Sequence, residues 1–300
     1  MSRTLHVFQV DAFTRTQFTG NPAGVVLGAD DLTDDAMLAI ARELHNADTA
    51  FVLAPNEPDH DIRVRFFTPR TEASFVGHAT VAANYVLSRV PGAAQHVRQR
   101  QRSGLVEVSI RGSGDERRIA VRQPVPQLGR ELNERERLAV LDALALSTAD
   151  IDTRCPLLIG GAPSSRLLIG VHGGDQLKQL KPDMGRLTTL SAQLGAAGYF
   201  VFTLEPRSDG SLTHSRMFCP ALGIPEDPVS GNAHGILGAY LARQGLIAAQ
   251  GDRAAFVGAQ GQSLQRPGRV EVELEWRSGT LEAVWIVGQA TLVFETRITV

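Results

Sequence analysis

The sequence predicts an α+β protein of two similar domains, each a curved sheet wrapped around a central buried helix. Three observations carry this reading. A signature of the form Arg-x-Phe-x-Pro occurs twice, as Arg65-Phe66-Phe67-Thr68-Pro69 and as Arg216-Met217-Phe218-Cys219-Pro220. Each copy is followed by a Gly-led apolar segment, Gly77-His78-Ala79-Thr80 running on to Leu87 and Gly231-Asn232-Ala233-His234 running on to Leu241. Upstream of each copy lie a helix-like segment, 33–44 or 183–194, and a strand-like one, Phe51–Pro55 or Phe200–Pro206. A helix–strand–strand–helix unit used twice is an internal duplication, and such a pair has a natural cleft between its halves.

The elements follow in order. Residues 5–13 alternate as a strand, and Thr19–Gly24 form a turn cluster before a short strand, Val25–Leu27. Thr33 caps a helix whose first turn holds Asp34 and Asp35, where the helix dipole favours acids. Met37, Ile40, Ala41 and Leu44 share one face at helical spacing. Strands are expected at 50–54 and 62–67. Segment 78–89 is a helix with Ala79, Val81, Ala82, Ala83, Tyr85, Val86 and Leu87 on all sides, and 232–243 is similar. A helix that is apolar all round is buried all round.

A polar stretch at 111–118 precedes strand 119–122, and Gln123–Gly129 reads as the interdomain linker. The expected domains are therefore 1–122 and 123–300, the first of which can also take the last strand of the chain. Segment 131–146 is helical, segments 157–171, 199–205 and 213–218 are strand-like, and the final thirty residues alternate as two or three strands.

Composition narrows the function. With 300 residues, 43% hydrophobic and 21% charged, and a net charge of −2, the chain has the balance of an ordinary globular protein, with no basic surplus for nucleic acid. Two cysteines are too few for a disulfide framework or a zinc knuckle. No signal peptide and no apolar run of roughly 18 residues is present, so no membrane partner is expected and the cytoplasm is the expected location.

Three polar residues break the symmetry of the repeat. Asp48 precedes strand 50–54, whereas the matching position of the second half lies near Gly198. His78 opens the first buried helix. Asp227 lies in Pro225–Gly231, a loop into the second buried helix that is three residues longer than its counterpart. Helix amino termini carry unpaired N–H groups and partial positive charge, which suits a carboxylate-bearing ligand. A carboxylate and an imidazole beside it could move a proton to or from carbon. Each residue also has a plainer reading: Asp48 as a turn former, His78 as a helix cap, Asp227-Pro228 as a turn pair, Glu72 as a partner of loop backbone, His234 as a core histidine, and His45 on an exposed helix end.

Together the motifs resemble the PhzF-like family, named for the phenazine-biosynthesis isomerase. The matching pieces are Asp11–Thr14 with Phe18–Val26, Ala47–Val52, Phe67–Pro69 with Glu72 and Phe75–Thr80, and Gly223–Ala233, in family order along most of the chain. The resemblance implies a diaminopimelate epimerase-like fold: two α+β domains, each a barrel-like sheet around a central helix, with the active site in the interdomain cleft. It implies a homodimer that isomerises a small carboxylate-bearing substrate by acid/base catalysis, with no cofactor and no metal. In that pattern an acid shuttles a proton between two carbons, assisted by the histidine of Gly-His and the aspartate of Glu-Asp-Pro.

Carried over, Asp48, His78 and Asp227 are the catalytic candidates, and Asn21, Gly77, Gly231 and Asn232 the substrate-binding ones. Three positions depart from the family. Asp48 replaces a glutamate, which moves the carboxylate by roughly 1.5 Å, a shift that can cost about 100-fold when the substrate is fixed. Ala47 and Asn232 each replace a common serine. The epimerase relatives use two cysteines as a thiol pair, and the helix-entry positions here hold none. Proton transfer between carbons is the expected activity. Metabolite binding without turnover is the alternative, with epimerisation through Asp48 and Asp227 behind it. Metal hydrolysis has no His-Glu-x-x-His spacing to support it.

Overall fold

A computed structural model describes residues 3–161 and 165–300. The chain divides into two compact units, residues 1–122 with 287–300, and residues 123–286. In chain order the first unit holds β1 (Thr4–Ala12), β2 (Asn21–Leu27), α1 (Asp34–Leu44), β3 (Thr49–Leu53), β4 (Ile62–Phe67), β5 (Glu72–Ala73), α2 (Gly77–Leu87), β6 (His96–Gln101), β7 (Gly104–Arg111) and β8 (Arg118–Gln123). The second holds β9 (Leu128–Glu131), α3 (Glu134–Ala143), β10 (Leu158–Gly160), β11 (Arg166–Val171), α4 (Gly174–Gln179), α5 (Met184–Leu194), β12 (Gly198–Thr203), β13 (Thr213–Cys219), β14 (Ile224–Asp227), α6 (Gly231–Arg243), β15 (Arg253–Gln260), β16 (Gly268–Arg277) and β17 (Thr280–Gly288). The chain then returns to the first unit with β18 (Ala290–Thr299), antiparallel to β1.

Strand alternation assigns the two faces of the first sheet. Phe8 and Val10, Ala23 and Val25, Ala50 and Val52, Val64 and Phe66 pack on Ala79, Ala82, Ala83 and Val86 of α2. Their neighbours Leu5 and Val7, Val26, Phe51 and Leu53, and Phe67 point the other way, onto Met37, Ile40 and Ala41 of α1. A period of two along each strand produces both cores. The sheet is thus covered on both faces, and a one-residue slip in any strand would exchange its two hydrophobic sets.

The second unit repeats the order of pairings. In the first, β2–β3 is parallel, β3–β4 and β4–β5 antiparallel, β4–β6 parallel and β6–β7 antiparallel. In the second, β11–β12 is parallel, β12–β13 and β13–β14 antiparallel, β13–β15 parallel and β15–β16 antiparallel. One face of its sheet packs Leu167, Ile169, Tyr199, Val201 and Phe218 on Leu141 of α3 and Leu187 of α5. On α6, residues Ala233 to Leu241 are all buried. Each unit is a mixed α/β fold.

Four local expectations are corrected. Asn21–Gly24 form no turn: they are strand, paired with β1 from Gln9 to Ala12, because Gly20 (φ +66°) already turns the chain. A Cβ at Gly20 would lie 2.2 Å from the Ala12 carbonyl oxygen, so only glycine fits. The helix expected over 131–146 is confined to Glu134–Ala143, started by a capping box between Asn133 and Glu136. The expected linker 123–129 and the expected loop 225–231 both lose residues to strands, β8 and β9 in the first case and β14 in the second. Strands β5, β6, β7 and β15 and helix α4 lie outside the expected elements. Of the strand-like segment 157–171, residues 162–164 lie outside the described residues.

Candidate active site

The duplicated signature has a physical explanation. Arg65 and Phe67 are two apart on β4 and so share a face, where the guanidinium lies 5.1 Å over the ring. The Arg65 fork donates to both carboxylate oxygens of Glu72, at 2.8 and 3.0 Å, and to Asp34 at 2.7 Å. Arg216 does the same on β13: it lies 4.9 Å over Phe218 and donates to Glu226 at 2.9 and 2.8 Å. Its remaining nitrogen donates to the Leu177 carbonyl at 2.9 Å. Each clamp fastens the short strand that leads into a buried helix. Glu72 therefore bonds a guanidinium, not loop backbone as expected.

In the first unit, α1 ends at His45, an exposed cap in the left-handed conformation (φ +54°). Asn46 then exchanges two amide hydrogen bonds with Gln9 of β1, at 2.9 and 2.8 Å. The Asp48 carbonyl accepts the N–H of Gly24 at 3.3 Å. These tethers hold the turn that presents Asp48, which is 7% exposed. His78, 8% exposed, is the second residue of α2. Its Nε2 lies 3.7 Å from Asp48 Oδ2, beyond hydrogen-bond distance, and is buried without a hydrogen-bond partner. Burial pushes the His78 imidazole down to about 4, so it is neutral at pH 7.

Gly77 starts α2 behind Val76, which supplies no side-chain cap. The N–H groups of this turn have no side-chain acceptor at the cap and face outward along the helix axis. Asn21 is fully buried at the head of β2, opposite Ala12.

In the second unit, Asp227 ends β14, opposite Met217. Gly231 and Asn232 open α6, where Ser230 Oγ accepts the N–H of Ala233 at 3.4 Å. His234 is fully buried, its Nδ1 2.8 Å from the Ser230 carbonyl and its ring edge-on to Phe200. It is the core histidine that the plainer reading expects, and burial pushes it down to about 4.

The structure thus brings Asp48 and His78 together. It sets Asp227, Gly231 and Asn232 around the start of a second buried helix. Sequence reading missed three side chains at these positions: Gln9 and Asn46, and Gln260, which bonds the Asp227–Ser230 segment. Only spatial pairing across 37 or 30 residues reveals them. Both cysteines are buried, and burial pushes Cys155 up to about 11 and Cys219 up to about 12. A thiol so placed is a poor source of thiolate at neutral pH. Among the described residues, no three His, Cys, Asp or Glu side chains gather as metal ligands.

Known proteins resemble this chain in sequence and in fold. The PhzC-PhzF family, described as phenazine biosynthesis-like protein, matches residues 10–296. An uncharacterized isomerase, YddE, of Salmonella typhimurium is 39% identical over 289 residues, 96% of each chain. An uncharacterized isomerase of Clostridium acetobutylicum is 36% identical over 99% of each chain. The crystal structure of the Bacillus anthracis phenazine biosynthesis protein of the PhzF family superposes with a TM-score of 0.88 at 30% identity, covering 99% of this chain and 100% of that one. A hydroxyproline epimerase from Agrobacterium vitis, solved with trans-4-hydroxy-L-proline, shares the fold at a TM-score of 0.63 and 13% identity, covering 99% of this chain and 93% of that one. The chain belongs to the PhzC-PhzF, phenazine biosynthesis-like, family, in which its curated relatives carry the name isomerase.

Proposed function

We propose that the protein is a cofactor-independent isomerase that moves a proton between two carbons of a small carboxylate-bearing substrate. The observation that carries this is the Asp48–His78 pair: a buried carboxylate and a buried neutral imidazole 3.7 Å apart, with His78 Nε2 unbonded. A buried polar atom left without a partner calls for an explanation, and a catalytic role is one.

In this reading Asp48 takes a proton from a carbon made acidic by an adjacent carbonyl or conjugated system. The C–H electron pair passes into that system, and Asp48 returns the proton to a second carbon. His78, being neutral, can donate or accept one hydrogen bond during the transfer. The substrate carboxylate is assigned to helix N–H groups at Gly77, Gly231 and Asn232, with Asn21 as a further contact. Asp227 is assigned to holding a substrate amine or hydroxyl. The matched pairing order supports treating the two units as copies of one fold, and a homodimer is part of the same proposal.

The test is solvent exchange. Wild type and Asp48→Asn are incubated in D₂O with small carboxylates, including L-proline and trans-4-hydroxy-L-proline, and carbon-bound hydrogens are followed by proton NMR. Exchange by wild type alone, with both proteins folded, supports the proposal. Equal exchange by both removes Asp48 from the mechanism. Ligands that stabilise both proteins and exchange with neither favour a binding protein instead.

A further inference from the structure

Gln260 is the last residue of β15 and is 1% exposed. Its Oε1 accepts the backbone N–H of Ser230 at 3.0 Å. Its Nε2 donates to the backbone carbonyl of Asp227 at 2.6 Å. One side chain thus spans both ends of the segment Asp227–Ser230, which carries the chain from β14 into α6. An amide suits this task because it offers a donor and an acceptor on one rigid group without charge.

The neighbouring backbone is built around the same segment. Gly261 has φ +92°, and a Cβ there would stand 2.8 Å from the Pro228 carbonyl oxygen and 2.2 Å from that of Arg266. The chain after Gln260 therefore passes directly against the segment, which only glycine permits. On the other side, Arg216 grips Glu226, the residue before Asp227. Ser230 then caps Ala233 N–H and pairs through its carbonyl with His234 Nδ1. Asp227 is held from β13, from β15 and from the helix that follows.

The first unit has a buried glutamine of its own, and it behaves differently. Gln101 ends β6 and is 5% exposed, yet its side chain bonds Ser103 Oγ at 2.7 Å and Gln99 at 3.1 Å. A buried glutamine in this fold need not hold the entry to a helix, and Gln260 does.

We infer that Gln260 is a positioning residue for Asp227 and for the first turn of α6: it sets where the Asp227 carboxylate and the Gly231 and Asn232 N–H groups point. This rests on the proposed role of Asp227 in holding the substrate. It makes the longer entry loop of the second unit a rigid part of the site. Displacements of about 1 Å in such groups are costly to turnover.

Gln260→Met tests it, since Met fills similar volume and removes both hydrogen bonds. Gln101→Met is the control. Hydrogen–deuterium exchange is read at the Ser230 amide, and turnover is read as deuterium incorporation into whichever carboxylate wild type exchanges. In Gln260→Met, the Ser230 amide should exchange at least about tenfold faster than in wild type or the control. Incorporation at saturating carboxylate should fall about tenfold and half-saturation should rise as the Gly231 and Asn232 N–H groups lose their aim, whereas Gln101→Met should leave both unchanged. Unchanged Ser230 protection overturns the inference without any substrate. So does unchanged turnover in a variant whose Ser230 amide is exposed. Failure of wild type to exchange any carboxylate sinks the proposed function instead, and with it the catalytic half of this inference, while the Ser230 amide still decides whether Gln260 holds the segment.

Discussion

His78 Nε2 and Asp48 Oδ2 face each other at 3.7 Å without a hydrogen bond, and both residues are buried. A closed ion pair would lock both groups. The open gap keeps the imidazole neutral, because burial penalises its charged form and no bonded carboxylate offsets that penalty.

Acid stability follows from this. His78 and His234 are both pushed from 6.5 down to about 4 by burial. Well above pH 6.5 both are neutral whether folded or unfolded and contribute no pH dependence. As pH falls from 6.5 towards 4, the unfolded chain binds protons that the folded chain refuses, so stability drops. The loss reaches at most about 3 kcal/mol per histidine. Urea unfolding at pH 7.5 and pH 5 should show the drop, and His234→Gln should remove about half of it. An identical pH dependence in that variant would count against a buried neutral His234.

The Arg–Glu clamps should be costly to break from one side. Arg216→Ala leaves Glu226 in a largely buried site without its fork, while Arg65→Ala takes the fork from Glu72 but leaves it Arg102 at 3.3 Å. The expected loss is about 2–4 kcal/mol for Arg216→Ala and smaller for Arg65→Ala, with Lys replacements recovering part of it. Urea midpoints within about 0.5 kcal/mol of wild type would show that the clamps contribute little.

Gly20→Ala should destabilise by at least about 2 kcal/mol. The position needs a positive φ, and the added Cβ would collide with the Ala12 carbonyl. Thermal melts of this variant beside Gly210→Ala separate the two causes. Gly210 has a similar φ of +74° and nothing within 4 Å of its Cβ, so it should cost only the conformational part.

Gln9 and Asn46 should be energetically coupled. Their reciprocal amide bonds are lost together in either single variant, so a double-mutant cycle with Gln9→Leu and Asn46→Leu should give about 1 kcal/mol of interaction. If Asp48 performs proton transfer, Asn46→Leu should also slow deuterium incorporation, because Asn46 anchors its turn. Purely additive effects on stability would show that the two amides act independently.

Local pattern decided much of the fold before any contact was known. Thr33 and the spacing of Met37, Ile40 and Ala41 determined α1 and its buried face. The all-round apolar run after Gly77 determined that α2 is enclosed, and alternation through Arg63 and Arg65 determined β4. These are properties of neighbouring residues, set by the periods of helix and strand. Where local signals conflicted, tertiary pairing won: Asn21–Gly24 and Pro225–Asp227 carry turn residues, yet a neighbouring strand supplies their backbone partners. The repeated Arg-x-Phe-x-Pro was visible as a pattern, but not that each arginine stacks on its phenylalanine and clamps a glutamate seven or ten residues on. Nor could the sequence show Gln9 holding Asn46, or Gln260 holding Asp227 and Ser230. Such bonds join residues that are 30 or more apart in the chain and adjacent only once the strands are in register. Their partners are decided by register and burial, which belong to the assembled sheet and not to any segment of it.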